Sequence, residues 1–136
     1  MIYVDDREDG KVLEMFAKTG LDVEVKRLKC GDYVCDELGV VIERKSIDDF
    51  CGSIMDGRLK SQADRMLEQY ENCFVLIAGR IGDRKTEINE NCILGMMSSL
   101  VMKGIHVVCL DNEEQLVFFM KRIFERFTEM NGGEKK

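Results

Sequence analysis

Glu43 and Lys45 stand two residues apart at the end of the apolar run Val40-Val41-Ile42, and Asp32 stands eleven residues before Glu43, directly after Gly31. On a strand, residues two apart point to the same face, so an acid and a base share one side while Arg44 takes the other. A glycine before Asp32 permits a tight turn that delivers a second acid nearby. Two carboxylates and a lysine so placed suit metal-dependent phosphodiester hydrolysis. The acids hold a hard divalent cation through oxygen, and the ammonium offers positive charge near the reacting phosphate.

The elements that must position these residues follow from hydrophobic period and turn signals. Ile2 to Val4 reads as a short strand whose end delivers Asp5-Asp6-Arg7-Glu8. A helix is predicted over 10–18, with Val12, Leu13, Phe16 and Ala17 on one face; Leu21, Val23 and Val25 then alternate with charged residues, as in a half-buried strand. Tyr33 to Cys35 pairs with Val40 to Arg44 as a hairpin across 36–39. Ser46-x-x-Asp49 is a capping-box pattern opening a helix that ends near Met55, so Asp49 is expected as a cap rather than a metal ligand. Another helix covers 59–71. Cys73 to Ala78 and Ile105 to Leu110 are continuous apolar runs, the pattern of strands buried on both faces; a polar loop over 79–89 and a helix over 90–103 separate them. Asp111-x-x-Glu114 caps a last helix reaching about Thr128. Residues 131–136 read as a frayed tail, leaving a domain over 1–130.

Strands alternating with helices give an α/β fold, a sandwich around one central mixed sheet flanked by helices. The polar strand ends at 5–8 and 43–45 are expected to meet at one edge of that sheet. Four acids then converge: Asp5, Glu8, Asp32 and Glu43. Crowded carboxylates repel and their pKa values rise unless a cation is present, which favours Mg2+ or Mn2+ there. Lys45 orients or deprotonates a water, or offsets charge developing on the phosphate. Each residue also has a plainer reading. Glu43-Arg44-Lys45 resembles any charged strand end, Asp32 a turn residue after glycine, and Asp5 to Glu8 a helix N-terminus. Arg44, on the opposite side of its strand, is expected in a structural ion pair, and His106 is read as structural.

At 136 residues the chain is expected to form one domain with a substantial core. Apolar content of 45% beside 34% charged residues describes an ordinary soluble protein. No apolar run approaches a membrane span and no leader pattern opens the chain, so the expectation is a cytoplasmic protein without a membrane partner, nucleoid-associated in a prokaryote or archaeon and nuclear in a eukaryote. The six cysteines include no Cys-x-x-Cys pair and are read as reduced, mainly core residues. A net charge of -6 opposes strong nucleic-acid binding. Bases do cluster locally, at Lys26-Arg27-Lys29, Arg44-Lys45, Arg58-Lys60 and Arg80-Arg84-Lys85, so weak DNA binding by this chain alone is expected.

Gly31-Asp32…Glu43-Arg44-Lys45-Ser46-Ile47-Asp48-Asp49 resembles the Gly-Asp…Glu-Arg-Lys-x-x-x-Asp signature of the XPF family of structure-specific endonucleases. Val4-Asp5-Asp6-Arg7-Glu8 is similar to that family's opening Val-Asp-x-Arg-Glu, and Ser53 to Leu59 followed by Gln62 to the stretch after the signature. The resemblance implies a restriction-endonuclease-like three-layer sandwich and Mg2+- or Mn2+-dependent cutting of branched DNA (3′ flaps, forks, bubbles) near single-/double-strand junctions. It assigns Asp5, Glu8, Asp32 and Glu43 to a metal site and Lys45 to catalysis. Arg7, Arg44, Arg58 and Gln62 become candidates for site support or DNA contact. It also implies a homodimer or heterodimer, for which the apolar face Leu116, Phe119, Met120, Ile123, Phe124, Phe127 and Met130 of the last helix is the candidate. The family's tandem helix-hairpin-helix domain is not in this sequence, which suggests either an excised domain or a nuclease that borrows DNA affinity from a partner. The alternatives are a catalytically silent scaffold subunit, and a junction resolvase or restriction enzyme of the same fold.

Overall fold

The computed structural model describes residues 1–134. Its strands are β1 (Ile2–Asp5), β2 (Val23–Lys26), β3 (Tyr33–Cys35), β4 (Val40–Ser46), β5 (Asn72–Ala78) and β6 (His106–Leu110). They form one sheet in the order β2-β1-β3-β4-β5-β6. β1 is antiparallel to β3 and β3 to β4, whereas β1 with β2, β4 with β5 and β5 with β6 run parallel, so the sheet is mixed. Helices α1 (Gly10–Ala17) and α5 (Glu113–Glu134) cover one face; α2 (Ile47–Met55), α3 (Arg58–Gln69) and α4 (Glu90–Met102) cover the other. This is the expected three-layer α/β sandwich.

Two apolar clusters, one per face, explain how the sheet aims its polar ends. Val40 and Ile42 pack toward α1 and α5 with Phe16, Tyr33 and Phe124, while Val41 packs toward α2 and α3 with Phe50, Leu59 and Met66. The two-residue period of the strand carries this alternation on: Glu43 and Lys45 emerge on the α2/α3 side and Arg44 on the other. β5, fully buried along Val75-Leu76-Ile77, backs the strand along its length. Gly31 closes the turn before β3 with φ 76°, a conformation glycine adopts freely, and a Cβ there would overlap the Val41 side chain. Its replacement would displace Asp32.

Helix starts follow local chemistry. Asp9 caps α1, its Oδ1 accepting from the amides of Lys11 (2.9 Å) and Val12 (3.2 Å). Ser46 Oγ accepts from Asp49 N at 3.1 Å, so Ser46 caps α2 as expected. The last helix differs from expectation. Its cap is Asn112, whose Oδ1 accepts from Gln115 N (2.9 Å) while Gln115 Oε1 accepts from Asp111 N (3.0 Å). Asp111 instead pairs with Arg80. α5 also continues to Glu134 rather than ending near Thr128, so residues 131–134 are helical; 135 and 136 lie outside the described residues.

β6 is a further correction. It is the edge of the sheet and half-exposed, not a doubly buried strand. Val108 and Leu110 pack on the α1/α5 face and Val107 on the other, while His106 and Cys109 are exposed, and His106 stacks on Phe74 at 4.8 Å between ring centroids. The cysteines divide in the same way: Cys35, Cys51 and Cys73 are buried, Cys30 is half-buried, and Cys92 and Cys109 are exposed, all of them free thiols.

Candidate active site

The C-terminal ends of β1 and β4 and the turn before β3 meet at one point. Asp32 is stitched between them: its amide donates to Ile42 O (2.9 Å), and its carbonyl accepts from Asp5 N (2.9 Å). Its carboxylate accepts from the amide of Arg44 through Oδ2 at 2.8 Å. Glu43 is buried, 8% exposed, and its Oε2 lies 3.2 Å from Lys45 Nζ, itself 7% exposed. A cavity of about 240 Å³ opens over Asp5, Asp32 and Glu43, walled on the helix side by Gln62 and Arg65 of α3 and by Lys29.

The four expected acids are not equivalent. Arg44 reaches Glu8 in a two-pronged contact, Nε to Oε2 at 2.8 Å and Nη2 to Oε1 at 2.7 Å, with the Glu8 side chain only 3% exposed. Glu8 is thereby neutralised and is not among the residues lining the cavity. Asp5 accepts from Arg7 Nε (2.8 Å) and Nη2 (3.2 Å) and from Leu28 N (2.9 Å). Burial alone would raise its pKa, but these donors outweigh it and hold the carboxyl below its usual range. Asp32 has no such guanidinium. Burial first, then the charges of Glu43 and Glu8, push its carboxyl up to about 8. Burial likewise raises Glu43, against the pull of Lys45.

Two carboxyls therefore remain under-compensated, side by side in a polar cavity. Gln62 Oε1, which belongs to the same wall, is buried and has no hydrogen-bond donor. An orphaned amide oxygen beside two carboxyls is an all-oxygen donor set, and a cation that keeps several of its waters while taking one or two carboxylates fits it. Among the described residues no three His, Cys, Asp or Glu side chains gather into a metal-binding group. The expected four-acid cluster is thus an open pair with two neutralised neighbours.

The ERCC4 domain model matches residues 4–123 of this sequence. The chain belongs to the ERCC4 domain family. The 3′-flap repair endonuclease Xpf of Saccharolobus solfataricus is 31% identical over 129 residues, covering 93% of this chain and 55% of that protein. XPF from Aeropyrum pernix superposes with a TM-score of 0.81 at 31% identity, over 89% of this chain and 58% of that one. The complex of the Aeropyrum pernix protein with DNA superposes at 0.79 and 29% identity, over 92% and 64%. The chain thus spans a little over half the length of these relatives, and the fold and XPF-type resemblance expected from the motifs are borne out.

In this ERCC4 domain the remaining candidates fall into place by geometry. Arg7 is engaged with Asp5 and with Leu28 O at 3.1 Å. Arg58 turns away to Asp56 (Nε to Oδ2, 2.7 Å) and does not line the cavity. Sequence reasoning missed Lys29 and Arg65. Arg65 had a signal, since it follows Gln62 by three residues and so shares its helical face; Lys29 had only its place in a basic cluster. Asp48 was also missed: its Oδ1 accepts from Lys85 N (2.9 Å), Thr86 N (2.8 Å) and Thr86 Oγ1 (2.7 Å), tying the 79–89 loop to α2. Among the described residues no helix is long and apolar enough to cross a membrane.

Proposed function

We propose that this ERCC4 domain is a Mg2+- or Mn2+-dependent DNA endonuclease that cuts branched DNA such as 3′ flaps, forks and bubbles near single-/double-strand junctions, in repair or fork processing. One observation carries the reading: Asp32 and Glu43 face one polar cavity with Lys45 beside them, and no guanidinium neutralises either acid. Membership of the ERCC4 family and similarity to the 3′-flap repair endonuclease of Saccharolobus solfataricus support it.

Asp32 and Glu43 would hold the cation, with Gln62 Oε1 as a further oxygen donor and Asp5 on the adjoining wall. A metal held there would supply Lewis-acid polarisation of a phosphate and a lowered pKa for a water. Lys45, held against Glu43 behind the cavity wall, would orient the attacking water or offset charge growing on the phosphate. Glu8 acts at one remove: it fixes Arg44, whose amide in turn holds the Asp32 carboxylate. Asp5 with Arg7 fixes the loop that carries Lys29.

We further read the active form as a dimer through the C-terminal helices. The α5 face anticipated for it is largely consumed by the chain's own core, where Leu116, Met120 and Phe124 are buried. An interface is left with exposed apolar residues such as Phe118 and Met130 of α5 and Leu94, Val101 and Met102 of α4. The net charge of -6 suits a chain that takes part of its DNA affinity from a second subunit or domain.

Purified protein is expected to nick a labelled 3′-flap with Mg2+ or Mn2+, and Glu43→Ala and Asp32→Ala to abolish cutting. Equal cleavage by wild type and both variants overturns the reading. Four-way-junction and linear-duplex substrates run alongside separate a flap nuclease from a resolvase or restriction enzyme, and a sizing measurement tests the dimer.

A further inference from the structure

Tyr33 opens β3 directly after Asp32, and it is the largest of the fully buried side chains. Its ring meets Phe16 edge-on, 4.9 Å between centroids, and its backbone is in register with Val4 of β1 and Ile42 of β4. The core therefore fixes where the hydroxyl lies, leaving it free only to turn about its own C–O bond.

That hydroxyl is out of the ordinary. A buried phenol as a rule finds a hydrogen-bond partner to replace the water it gave up. Tyr33 Oη is buried, and none of the described residues meets it in hydrogen-bond geometry. The group that approaches it is the Glu8 carboxylate. Burial first, then the charge and approach of Glu8, push the phenol well above its ordinary range, so it stays protonated and can donate.

The acceptors of Glu8 supply the other half. A carboxylate offers about four lone-pair positions. Oε1 takes two donors, Arg44 Nη2 (2.7 Å) and Asp9 N (2.9 Å), whereas Oε2 takes Arg44 Nε alone (2.8 Å). The Glu8 side chain is 3% exposed, so water has little access to what remains. A donor without an acceptor thus lies beside an acceptor with a lone pair to spare.

We propose that the Tyr33 hydroxyl is the fourth donor to Glu8, closing on Oε2, and that Tyr33 is thereby a positioning residue for the candidate metal site. It touches neither cation nor phosphate. Its ring, anchored on Phe16, fixes the Glu8 carboxylate; Glu8 fixes the Arg44 side chain; and the Arg44 amide holds the Asp32 carboxylate at 2.8 Å. Because Tyr33 also adjoins Asp32 in the chain, both ends of this relay are tied to the same acid. The proposal rests on the nuclease reading above and adds to it a residue that keeps Asp32 aimed.

Tyr33→Phe removes the oxygen alone, and two kinds of measurement follow it. Urea unfolding in chelator reads the contact itself. The folding equilibrium constant should fall about fivefold in the wild-type background, as loss of a hydrogen bond to a charged group would cause. In a Glu8→Leu, Arg44→Met background, which has no acceptor, the same change should cost nothing. Mn2+ titration calorimetry and flap kinetics, both well below the melting temperature, read the positioning. Mn2+ affinity and kcat should each fall about fivefold, with KM for the flap unchanged. The proposal is overturned by a Tyr33→Phe protein as stable as wild type, by equal losses of stability in the two backgrounds, or by Mn2+ affinity that stays at the wild-type value. It is also overturned by a wild type that does not bind Mn2+. A wild type that binds Mn2+ yet cuts no DNA sinks the nuclease reading alone, and the unfolding and Mn2+ measurements still decide the role of Tyr33.

Discussion

The end of β4 separates two electrostatic regimes. On the α1/α5 side, Arg44 and Glu8 close a bidentate ion pair, and on the wall of the cavity itself Arg7 pairs with Asp5, so these two acids each have a guanidinium of their own. On the α2/α3 side, Asp32 and Glu43 share a cavity, only Glu43 has a lysine partner, and burial pushes both carboxyls up. The paired side behaves as scaffold, since breaking a buried pair leaves an uncompensated charge. On the proposed function the unpaired acids are the site, because their charge would be balanced by the cation that binds them. Acids of the same type within one motif thus do opposite work, and the difference is whether an arginine reaches them.

The largest expected effects break the unpaired side. Glu43→Gln and Asp32→Asn should each lower flap cleavage by about a thousandfold, as removal of a ligand supplying several kcal/mol of transition-state stabilisation would. Asp32→Asn should melt at or above wild type without metal, because it removes a carboxyl whose ionisation burial and the neighbouring acids oppose, whereas Glu43→Gln also leaves the buried Lys45 without its partner; a thermal melt in chelator checks this, and a clear loss of stability in Asp32→Asn would erase the contrast.

Next in size, Glu8→Gln should destabilise by about 3 kcal/mol in urea unfolding, because Arg44 is left buried without its partner. Glu8→Leu with Arg44→Met should recover much of that loss. Recovery of stability without recovery of cleavage would locate the role of Arg44 in holding Asp32.

A third effect is pH dependence. The folded chain holds a proton on Asp32 up to about 8, whereas the unfolded chain releases it near 3.8. Between those values the folded state binds more protons, so the Asp32 contribution makes metal-free stability fall as pH rises through that window. Asp32→Asn should flatten the slope and saturating Mn2+ should reverse it, both read from melts across the range. The smallest effect sharpens the border of the site: Asp48→Ala should leave the melting temperature near wild type but speed hydrogen exchange at the Lys85 and Thr86 amides, which lose their acceptor.

Much of this fold was legible in the residues. The period of two through Val40 to Lys45 put Glu43 and Lys45 on one face and Arg44 on the other, and Ser46 announced the start of α2. Elsewhere local pattern misled. Ile105 to Leu110 is as apolar as a central strand, yet β6 lies at the edge, because only strand order decides which run has a neighbour on both sides. The cap of α5 moved by one residue since Asn112 and Gln115 satisfy each other's backbone while Asp111 is drawn to Arg80, a contact between residues distant in sequence.

Taken alone, the sequence determined the α/β sandwich, the family and the acids and lysine at the end of β4, because those depend on period, turn chemistry and residue type. Only the tertiary structure decided which acids are free. Arg7, Arg44 and Leu28 reach Asp5 and Glu8 through space, and neutralisation by a guanidinium is a matter of distance and direction that spacing along a chain does not encode. It also brought Lys29 and Arg65 to the walls of one cavity, from a loop and a helix that share no motif.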